Sequence, residues 1–394
     1  MEETFLAFGR KNSFMKIAFL TSEYPHLKTG FAAGIGTSIM NLSKGLQQEG
    51  HQISVVVYGQ NEDENFVDND VSFYKIKNVK LKGLSRFLTQ NKIEKLLNSL
   101  VKENKIDIVE APDWTGITSN IKPECPVVIK LHGSDTYFCH LDNRPVKFLN
   151  KFYEKKALQD ADALLSVSQY TADVTQQLFQ LKNDFTIIPN GIDIDKFSFD
   201  NTSEIKENTI LHFGTLIRKK GLLELPLIFN EVYKNNKQAK LILIGRDASD
   251  IISGNTSTWA MMQSLFDEKA LKNVSNIGSV SYDKIKEHIS AAAVCVFPTF
   301  AEALPVSWLE AMAMQKAIVA SDIGWATEVI NNEVNGFLVH PKNHKVYAER
   351  IIELIENREL RDQFGIEARK TVIEKFSIEV VSKQSVDFYQ KLLK

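Results

Sequence analysis

Short apolar runs alternate with longer stretches of helical periodicity through the first half of the chain. The runs are rich in β-branched residues, as buried strands are, and they cover residues 15–20, 51–59, 106–111, 126–133 and 161–168. Helices are predicted between them, over residues 37–48, 84–103 and 146–159. Strands that alternate with helices predict βαβ units, and hence a parallel sheet with helices on both faces.

A polar stretch at residues 198–209, rich in Asn, Ser, Thr and acids, interrupts this alternation and is typical of a linker. The alternation then begins again, with apolar runs at residues 209–214, 239–245, 291–299, 316–322 and 335–341. Residues 345–394 carry no further strand pattern, and two or three helices are predicted there. The sequence therefore predicts two α/β domains, residues 15–200 and 205–375, after an extension of residues 1–14 and before a helical tail.

The composition excludes several classes of protein. The 394 residues carry 47 Lys and Arg against 49 Asp and Glu, and a net charge of −2 argues against a dedicated nucleic-acid binder. No apolar run approaches the ~18 residues that would suggest a membrane span. Three widely spaced cysteines without a CxxC pair fit a reducing compartment, and Glu2 and Glu3 do not fit a signal peptide. We therefore expect a cytoplasmic protein that binds no nucleic acid.

Residues 75–105 depart from this charge balance, with nine Lys and Arg and only two acids, and with leucine and phenylalanine interspersed. A basic amphipathic helix can rest on an anionic membrane surface. A helix that packs in the core and exposes one solvated face fits the same residues. Peripheral contact with the inner face of a membrane is therefore one of two hypotheses for this segment.

In open parallel sheets ligands bind beyond the carboxyl ends of the strands, so the residues that follow each strand are the candidates for chemistry. The loop after the first strand carries Gly30, Gly34 and Gly36 ahead of a helix expected to start near Thr37. A helix N-terminus of this kind suits a phosphate, although an ordinary flexible connection fits the same glycines. The loop lacks GxxxxGK[ST] and a complete GxGxxG, and no acid ends the second strand to hold an adenosine ribose, so a nicotinamide dehydrogenase is disfavoured.

His132 directly follows another strand of the first half. A histidine at this position can donate a hydrogen bond to a substrate oxygen or act as an acid or base. A purely structural histidine fits the same position.

Two sets of charged residues follow strands of the second half. The cations of residues 218–220 can neutralise a diphosphate, and a solvated surface cluster is the alternative. Glu302 and Glu310 flank a helix predicted to start near residues 303–305. If the spacing is fully helical they lie about 12 Å apart, whereas the acid–base pair of a glycosidase needs roughly 5–10 Å. The two carboxylates could bind the two ends of one elongated ligand whose phosphates lie at the helix N-terminus. The alternative is that both lie on a solvent-exposed face of the helix, and their apolar neighbours argue against it.

These motifs occur in the order found in the retaining family-4 glycosyltransferases of the GT-B fold, which the chain resembles over nearly its whole length from Met15. The motifs are the glycine loop after the first strand, "LHG", "IIPNGID", "FGTLIRKKG", "AEALPVSWLEAMA" and "NGFLV". The most specific is the E-x7-E stretch combined with "PNG" at residues 189–191. The resemblance implies two Rossmann-like parallel-sheet domains that face each other across a cleft. The acceptor would lie on the first domain and a nucleotide-sugar donor mainly on the second, with a C-terminal helix, residues 376–394, crossing back to the first.

The resemblance also implies roles for individual residues. Glu302 would contact hydroxyls of the donor sugar, Glu310 would contact the ribose hydroxyls, and His132 would approach the transferred sugar. The residues expected to face the diphosphate are Gly34 and Gly36 from the first domain and Arg218 and Lys220 from the second. The backbone N–H groups expected to reach the sugar and diphosphate are those of Ala303, Leu304 and Val306. Thr215 stands where many members have an arginine, so Arg218 is expected to carry that charge.

The implied function is that of a metal-independent hexosyltransferase without a cofactor. It would move a sugar from a nucleoside diphosphate to a glycan, a lipid-linked or a small-molecule acceptor with retention of configuration, as in polysaccharide biosynthesis. Two alternatives stay open. A nucleotide-sugar epimerase of similar fold would turn over the donor without an acceptor, and a non-catalytic sugar-nucleotide-binding protein would bind the donor without consuming it.

Overall fold

Two sheets, each covered by helices, form the two halves of the protein in a computed structural model that describes residues 14–30, 32–199 and 204–394. The expected N-terminal extension lies outside the described residues apart from Phe14, and the expected linker is described only in part. The first sheet lies within the expected range 15–200 and the second within 205–375.

The first sheet has eight strands, and all of them are parallel except the third, which pairs antiparallel with the fourth. Its strands are β1 Lys16–Thr21, β2 Gln52–Gln60, β3 Glu64–Asp68, β4 Val71–Lys77, β5 Ile108–Pro112, β6 Val127–Leu131, β7 Ala163–Ser166 and β8 Thr186–Ile187. They lie in the order β3-β4-β2-β1-β5-β6-β7-β8. The helices of this domain are α1 Gly34–Gln48, α2 Ser85–Lys102, α3 Asp135–Leu141, α4 Phe148–Asp160 and α5 Gln169–Phe179.

Strand β1 shows why the strands are apolar throughout. Ile17 and Phe19 pack on one side of the sheet with α1, and Ala18 and Leu20 pack on the other side with α2. Successive side chains of a strand point to opposite faces, so a strand covered on both faces needs a continuous apolar run. The runs recognised in the sequence therefore mark the centre of each sheet.

The second sheet has six parallel strands in the order β11-β10-β9-β12-β13-β14. They are β9 Lys206–Phe213, β10 Lys240–Ile244, β11 Val274–Gly278, β12 Ala292–Phe297, β13 Ala317–Ala320 and β14 Phe337–Leu338. The helices that follow are α6 Leu225–Asn235, α7 Thr258–Gln263, α8 Glu268–Leu271, α9 Ile285–Ala291, α10 Val306–Ala313, α11 Ala326–Val329, α12 His344–Glu356, α13 Arg358–Lys375 and α14 Ile378–Leu392. β9 and β10 pair in register from Thr209 opposite Lys240 to Phe213 opposite Ile244.

The chain passes between the domains twice, and the two passages touch. The N–H of Ile192 donates to the carbonyl of Phe376 at 2.8 Å, and the N–H of Ile378 donates back to the carbonyl of Ile192 at 3.0 Å. Helix α14 then packs against α1 of the first domain. The hydroxyl of Tyr389 donates to the Glu110 carboxylate at 2.5 Å beneath the first sheet. The last helix is thus part of the first domain's core.

Two helix starts and four strands differ from the sequence prediction. Helix α1 begins at Gly34 rather than near Thr37, and α10 begins at Val306, with Pro305 just before it. Strands β3, β4, β8 and β11 were not predicted. Exposed positions recur along β3 and β11, polar Ser72 and Lys75 interrupt the apolar run of β4, and β8 has only two residues. Edge strands of this kind carry a weak sequence signal.

Candidate functional site

A cleft of about 1210 Å³ lies between the two domains, lined by residues that follow the strands of both sheets. Parallel strands bring their carboxyl ends to the same edge, which is where ligands bind in open α/β sheets. The predicted site residues that line the cleft are Gly34, His132, Lys220, Glu302, Ala303, Leu304, Val306 and Glu310. The two predicted residues outside this lining are Gly36 and Arg218.

An ion pair lies in the second-domain wall of the cleft. Lys220 ends a short 3-10 turn after β9, and its Nζ lies 3.3 Å from Oε1 of Glu302 in the loop before α10. Gly214 leaves room for this lysine, since a Cβ there would lie 2.9 Å from Lys220 Nζ, and its φ of 135° is one that glycine adopts readily. Burial favours a raised pKa for Glu302, but the ammonium groups of Lys220 and Lys219 outweigh it and lower the pKa. Glu302 is therefore a carboxylate at neutral pH.

Lys219 is a second cation in the cleft, and the family resemblance implied no separate role for it. It lines the cleft, and its Nζ lies 3.5 Å from the ring centroid of Phe138 in the first domain. Burial lowers the pKa of Lys219. The signal for it was present in the run Arg218–Lys220, but only the fold shows which of the three cations face the cleft.

Glu310 is the most deeply buried acid of the lining. It lies in α10 between fully buried neighbours and is only 5% exposed. Burial raises the pKa of Glu310 to about 7. A carboxylate in such a place can accept hydrogen bonds from two adjacent hydroxyls, and it gains by doing so because it has lost its water.

His132 follows β6 directly and faces the cleft from the first domain. Its backbone N–H donates to Oδ1 of Asp113 at 2.9 Å. Burial, helped by the nearby charge of Lys130, lowers the pKa of His132 to about 3. The imidazole is therefore neutral, so it can offer hydrogen bonds to a ligand but no positive charge. Asp113, which the sequence analysis did not single out, has a pKa raised by burial to about 7 and a buried Oδ2 with no hydrogen-bond partner among the described residues.

The N-termini of α1 and α10 both reach the cleft, and neither start carries a side-chain cap. Gly34, the first residue of α1, has open space where a Cβ would lie. Gly36 is different, and its prediction needs correction. Its N–H donates to Oε1 of Glu23 at 2.9 Å, and a Cβ on it would lie 2.7 Å from the Cβ of Ala32. Gly36 is thus needed for packing, and its N–H is already used.

Arg218 also needs correction. Its guanidinium makes two hydrogen bonds with Asp250, Nε to Oδ1 at 2.8 Å and Nη2 to Oδ2 at 2.7 Å. Asp250 is almost fully buried, and the pair lowers its pKa. The guanidinium therefore holds the loop after β10, and Arg218 lies outside the cleft lining, although it was expected to face the diphosphate.

Three consecutive backbone carbonyls of the second domain, those of residues 302–304, accept hydrogen bonds from first-domain side chains. Tyr137 donates to the first at 2.8 Å, Ser168 to the second at 2.9 Å and Asn190 to the third at 2.8 Å. Ser38 in turn donates to Oδ1 of Asn190 at 2.7 Å, which fixes the orientation of that amide. We call this set the carbonyl clamp.

The carbonyl clamp also fixes the direction of backbone N–H groups in the loop before α10. In a trans peptide the N–H points opposite to the C=O of the same unit. Because the carbonyls of residues 302 and 303 are held by the first domain, the N–H groups of Ala303 and Leu304 point away from the clamp. The clamp thus orients two of the N–H groups that were predicted to bind ligand. No sequence pattern identifies it, since its partners are 114 to 165 residues apart.

The described ranges contain neither a metal-binding cluster nor a membrane-spanning helix. Among residues 14–30, 32–199 and 204–394, no group of three or more His, Cys, Asp or Glu side chains is arranged to hold a metal ion. In the same part of the chain, no helix combines the length and the apolar content needed to cross a bilayer.

Two family models match adjoining parts of the chain. The model for glycosyltransferase family 4 matches residues 32–196, and the model for glycosyl transferases group 1 matches residues 193–371, so together they run without a gap from 32 to 371. An uncharacterized glycosyltransferase of Methanocaldococcus jannaschii is 26% identical over 95% of this chain and 98% of that protein. The α-maltose-1-phosphate synthase of Mycolicibacterium smegmatis is 24% identical over 96% of this chain and 100% of that protein.

Solved structures of similar fold cover both domains. Sucrose-phosphate synthase from Thermosynechococcus elongatus superposes with a TM-score of 0.77 at 18% identity, over 96% of this chain and 99% of that one. Anabaena HepE in complex with UDP-glucose superposes with a TM-score of 0.73 at 19% identity, over 96% of this chain and 100% of that one.

Proposed function

Because the chain belongs to the family-4 glycosyltransferases, we propose that it moves a hexose-type sugar from a nucleoside diphosphate to an acceptor with retention of configuration. Its architecture is the expected GT-B fold, with two parallel-sheet α/β domains. The single observation that carries the proposal is the arrangement along one cleft wall of Lys220, Glu302, the start of α10 and Glu310. Lys220 is a cation that suits a diphosphate, and the start of α10 supplies backbone N–H groups that suit it as well. The carboxylates of Glu302 and Glu310 can accept hydrogen bonds from the hydroxyls of a sugar and of a ribose.

The diphosphate would lie between cations and helix N-termini. Its negative charge grows as the bond to the sugar breaks, so positive groups near it stabilise the transition state more than the ground state. Lys220 and Lys219 provide such groups, and the uncapped starts of α1 and α10 add their N–H groups and dipoles. With these groups in place, we propose that the reaction needs no divalent metal.

The sugar would be held between Glu302 and His132. Glu302 is ionised and accepts hydrogen bonds from sugar hydroxyls, and neutral His132 faces the same space from the first domain. The N–H groups of Ala303 and Leu304, oriented by the carbonyl clamp, donate to the sugar and to the diphosphate. Glu310 would accept hydrogen bonds from the ribose at the far end of the donor.

The reaction that this arrangement supports is a front-side displacement, as in retaining members of the family. The bond between the anomeric carbon and the diphosphate oxygen breaks, and its electron pair leaves with the diphosphate. The acceptor hydroxyl bonds to the same face of the anomeric carbon, and its proton passes to the departing oxygen. The protein then contributes positioning and electrostatic stabilisation rather than a nucleophile. The acceptor would enter from the first domain as a glycan, a lipid-linked sugar or a small molecule.

The test uses three nucleotide sugars, UDP-glucose, GDP-mannose and ADP-glucose. We expect one of them to raise the melting temperature of the protein and to be slowly hydrolysed by it. With an α-linked donor, proton NMR before mutarotation should show the α sugar as the first product. Glu302→Gln is the matched variant, and it should still be stabilised by the donor but hydrolyse it more slowly.

Each alternative gives a different result in this test. A β product would contradict retention. Conversion of the donor to another nucleotide sugar without release of free sugar would indicate an epimerase. Stabilisation without any consumption, with a range of sugar acceptors present, would indicate a non-catalytic binder.

A further inference from the structure

Six large apolar side chains are at least half exposed in two short segments of the first domain. The segments are residues 80–87, which lead into α2, and residues 147–152, at the start of α4. The side chains are Leu81, Leu84, Phe87, Phe148, Leu149 and Phe152. Phe148 is 80% exposed and stacks on Phe152. Exposed apolar clusters of this kind mark interaction sites on soluble domains.

The two segments adjoin each other. The guanidinium of Arg86 lies over the ring of Tyr153, 4.2 Å from its centroid. Phe87 follows Arg86 directly in the chain, and Phe152 precedes Tyr153 and packs against its ring at a centroid distance of 5.4 Å. The two segments therefore lie side by side, and together we call them the apolar–basic surface.

The charge of this surface is positive throughout. Lys80, Lys82, Lys147 and Lys151 are all exposed, and neither residues 78–93 nor residues 143–153 contain an Asp or a Glu. The whole chain has a net charge of −2, so this concentration of lysine is local. Lysines beside exposed phenylalanine and leucine are typical of helices that lie in a membrane interface, where the long stems extend toward the headgroups.

We propose that the apolar–basic surface docks the protein on an anionic lipid bilayer. The phenylalanine and leucine side chains would enter the boundary between headgroups and acyl chains, and the four lysines would face anionic headgroups. This replaces the broader hypothesis for residues 75–105. Ile93, Leu97 and Leu100 of α2 are buried in the core and Lys75 pairs with Glu64, so only the beginning of that segment is available to a membrane.

Arg86 connects the apolar–basic surface to the cleft. Arg86 donates to the carbonyls of Thr115 and Gly116, both at 2.6 Å, and so holds the loop that carries Trp114. Trp114 lines the cleft. A bilayer on this surface would lie beside the acceptor side of the cleft, which suits a lipid-linked acceptor. That last point rests on the proposed function, whereas docking itself does not.

The experiment is flotation of the full chain with lipid vesicles, without donor or acceptor. One set of vesicles contains phosphatidylcholine alone, and the other contains phosphatidylcholine mixed with phosphatidylglycerol. We expect binding to the anionic vesicles, much weaker binding to the neutral ones, and partial release by salt. Lys147→Glu with Lys151→Glu should weaken binding about 20-fold or more, since each lysine near an anionic surface contributes about fivefold.

Apolar variants and controls complete the design. Phe148→Ser with Phe152→Ser should abolish flotation, whereas Ile366→Ser with Ile373→Ser, which changes two exposed residues of α13, should leave it unchanged. Unaltered melting temperatures would show that all variants fold. Equal binding to both kinds of vesicle, or wild-type flotation of the Phe148 variant, would overturn the proposal. No flotation at all, as expected if an acidic protein covers this surface instead, would also overturn it. None of these outcomes depends on sugar transfer.

Discussion

The affinity for the donor should depend on pH through Glu310. Burial raises the pKa of this carboxyl to about 7, and only its ionised form offers both oxygens to the ribose hydroxyls. The contribution of Glu310 to binding is therefore almost fully present at pH 8 and is lost as the pH falls through 7. With a pKa of about 7, the ionised fraction falls about tenfold between pH 8 and pH 6, which corresponds to about 1.4 kcal/mol of binding free energy.

Isothermal titration calorimetry with an intact nucleotide sugar measures this change. Its diphosphate is esterified at both ends, so the phosphate group that titrates near a pH of about 6 in free nucleoside diphosphates is absent. The wild-type protein should bind about tenfold more weakly at pH 6 than at pH 8. Glu310→Gln should bind at least about tenfold more weakly than wild type at pH 8, because a charge-assisted hydrogen bond contributes about 1.5–3 kcal/mol.

The variant also tests the cause of the pH dependence. Glu310→Gln should bind equally well at pH 6 and pH 8, whereas Glu302→Gln should keep the wild-type slope, since the cations beside Glu302 lower its pKa. A wild-type affinity that is the same at both pH values would refute the reasoning. So would a Glu310→Gln variant with normal affinity at pH 8.

Three further predictions follow from other contacts of the cleft and of the last helix. Lys220→Ala should lower turnover by about 100-fold or more in a transfer or hydrolysis assay, and excess EDTA should not lower wild-type turnover. Arg218→Ala is the matched control for Lys220→Ala, and it should leave turnover near normal, because its guanidinium is bonded outside the cleft lining. Asn190→Ala should lower turnover by about fivefold, since the loss of one neutral hydrogen bond of the carbonyl clamp costs about 1 kcal/mol. Tyr389→Phe should lower the free energy of unfolding in urea by about 1–2 kcal/mol without changing the affinity for the donor.

Sequence reasoning located the interior of the fold well, because a strand covered on both faces must be apolar along its length. β1 and β12 are examples, with buried side chains at almost every position. It failed for β3 and β11, where exposed positions remove that requirement, for β4, whose apolar run is broken by Ser72 and Lys75, and for the two-residue β8. Local pattern therefore predicted most of the central strands and the edge strand β14, and it missed β4 and the other three edge strands.

For the site, the sequence correctly predicted several cleft residues that lie in motifs directly after a strand. Lys220, Glu302 and Glu310 line the cleft as expected. Gly36 and Arg218 belong to the same motifs but do not, because their partners, Glu23 and Asp250, lie 13 and 32 residues away and take up the groups predicted for ligand. The carbonyl clamp could not be predicted, since it exists only where two domains meet.

The return of α14 to the first domain also affects how the protein is made. Val381, Val386 and Tyr389 belong to the same core as β1 and α1, although the whole second domain lies between them in the chain. During translation, one face of α1 therefore stays uncovered until α14 has been synthesised, and by then more than half of the chain has followed α1. Vectorial synthesis usually lets an N-terminal domain fold first. Here the first domain to emerge is the last to be completed, and a chain arrested before α14 leaves the ribosome would present an apolar groove to chaperones and proteases.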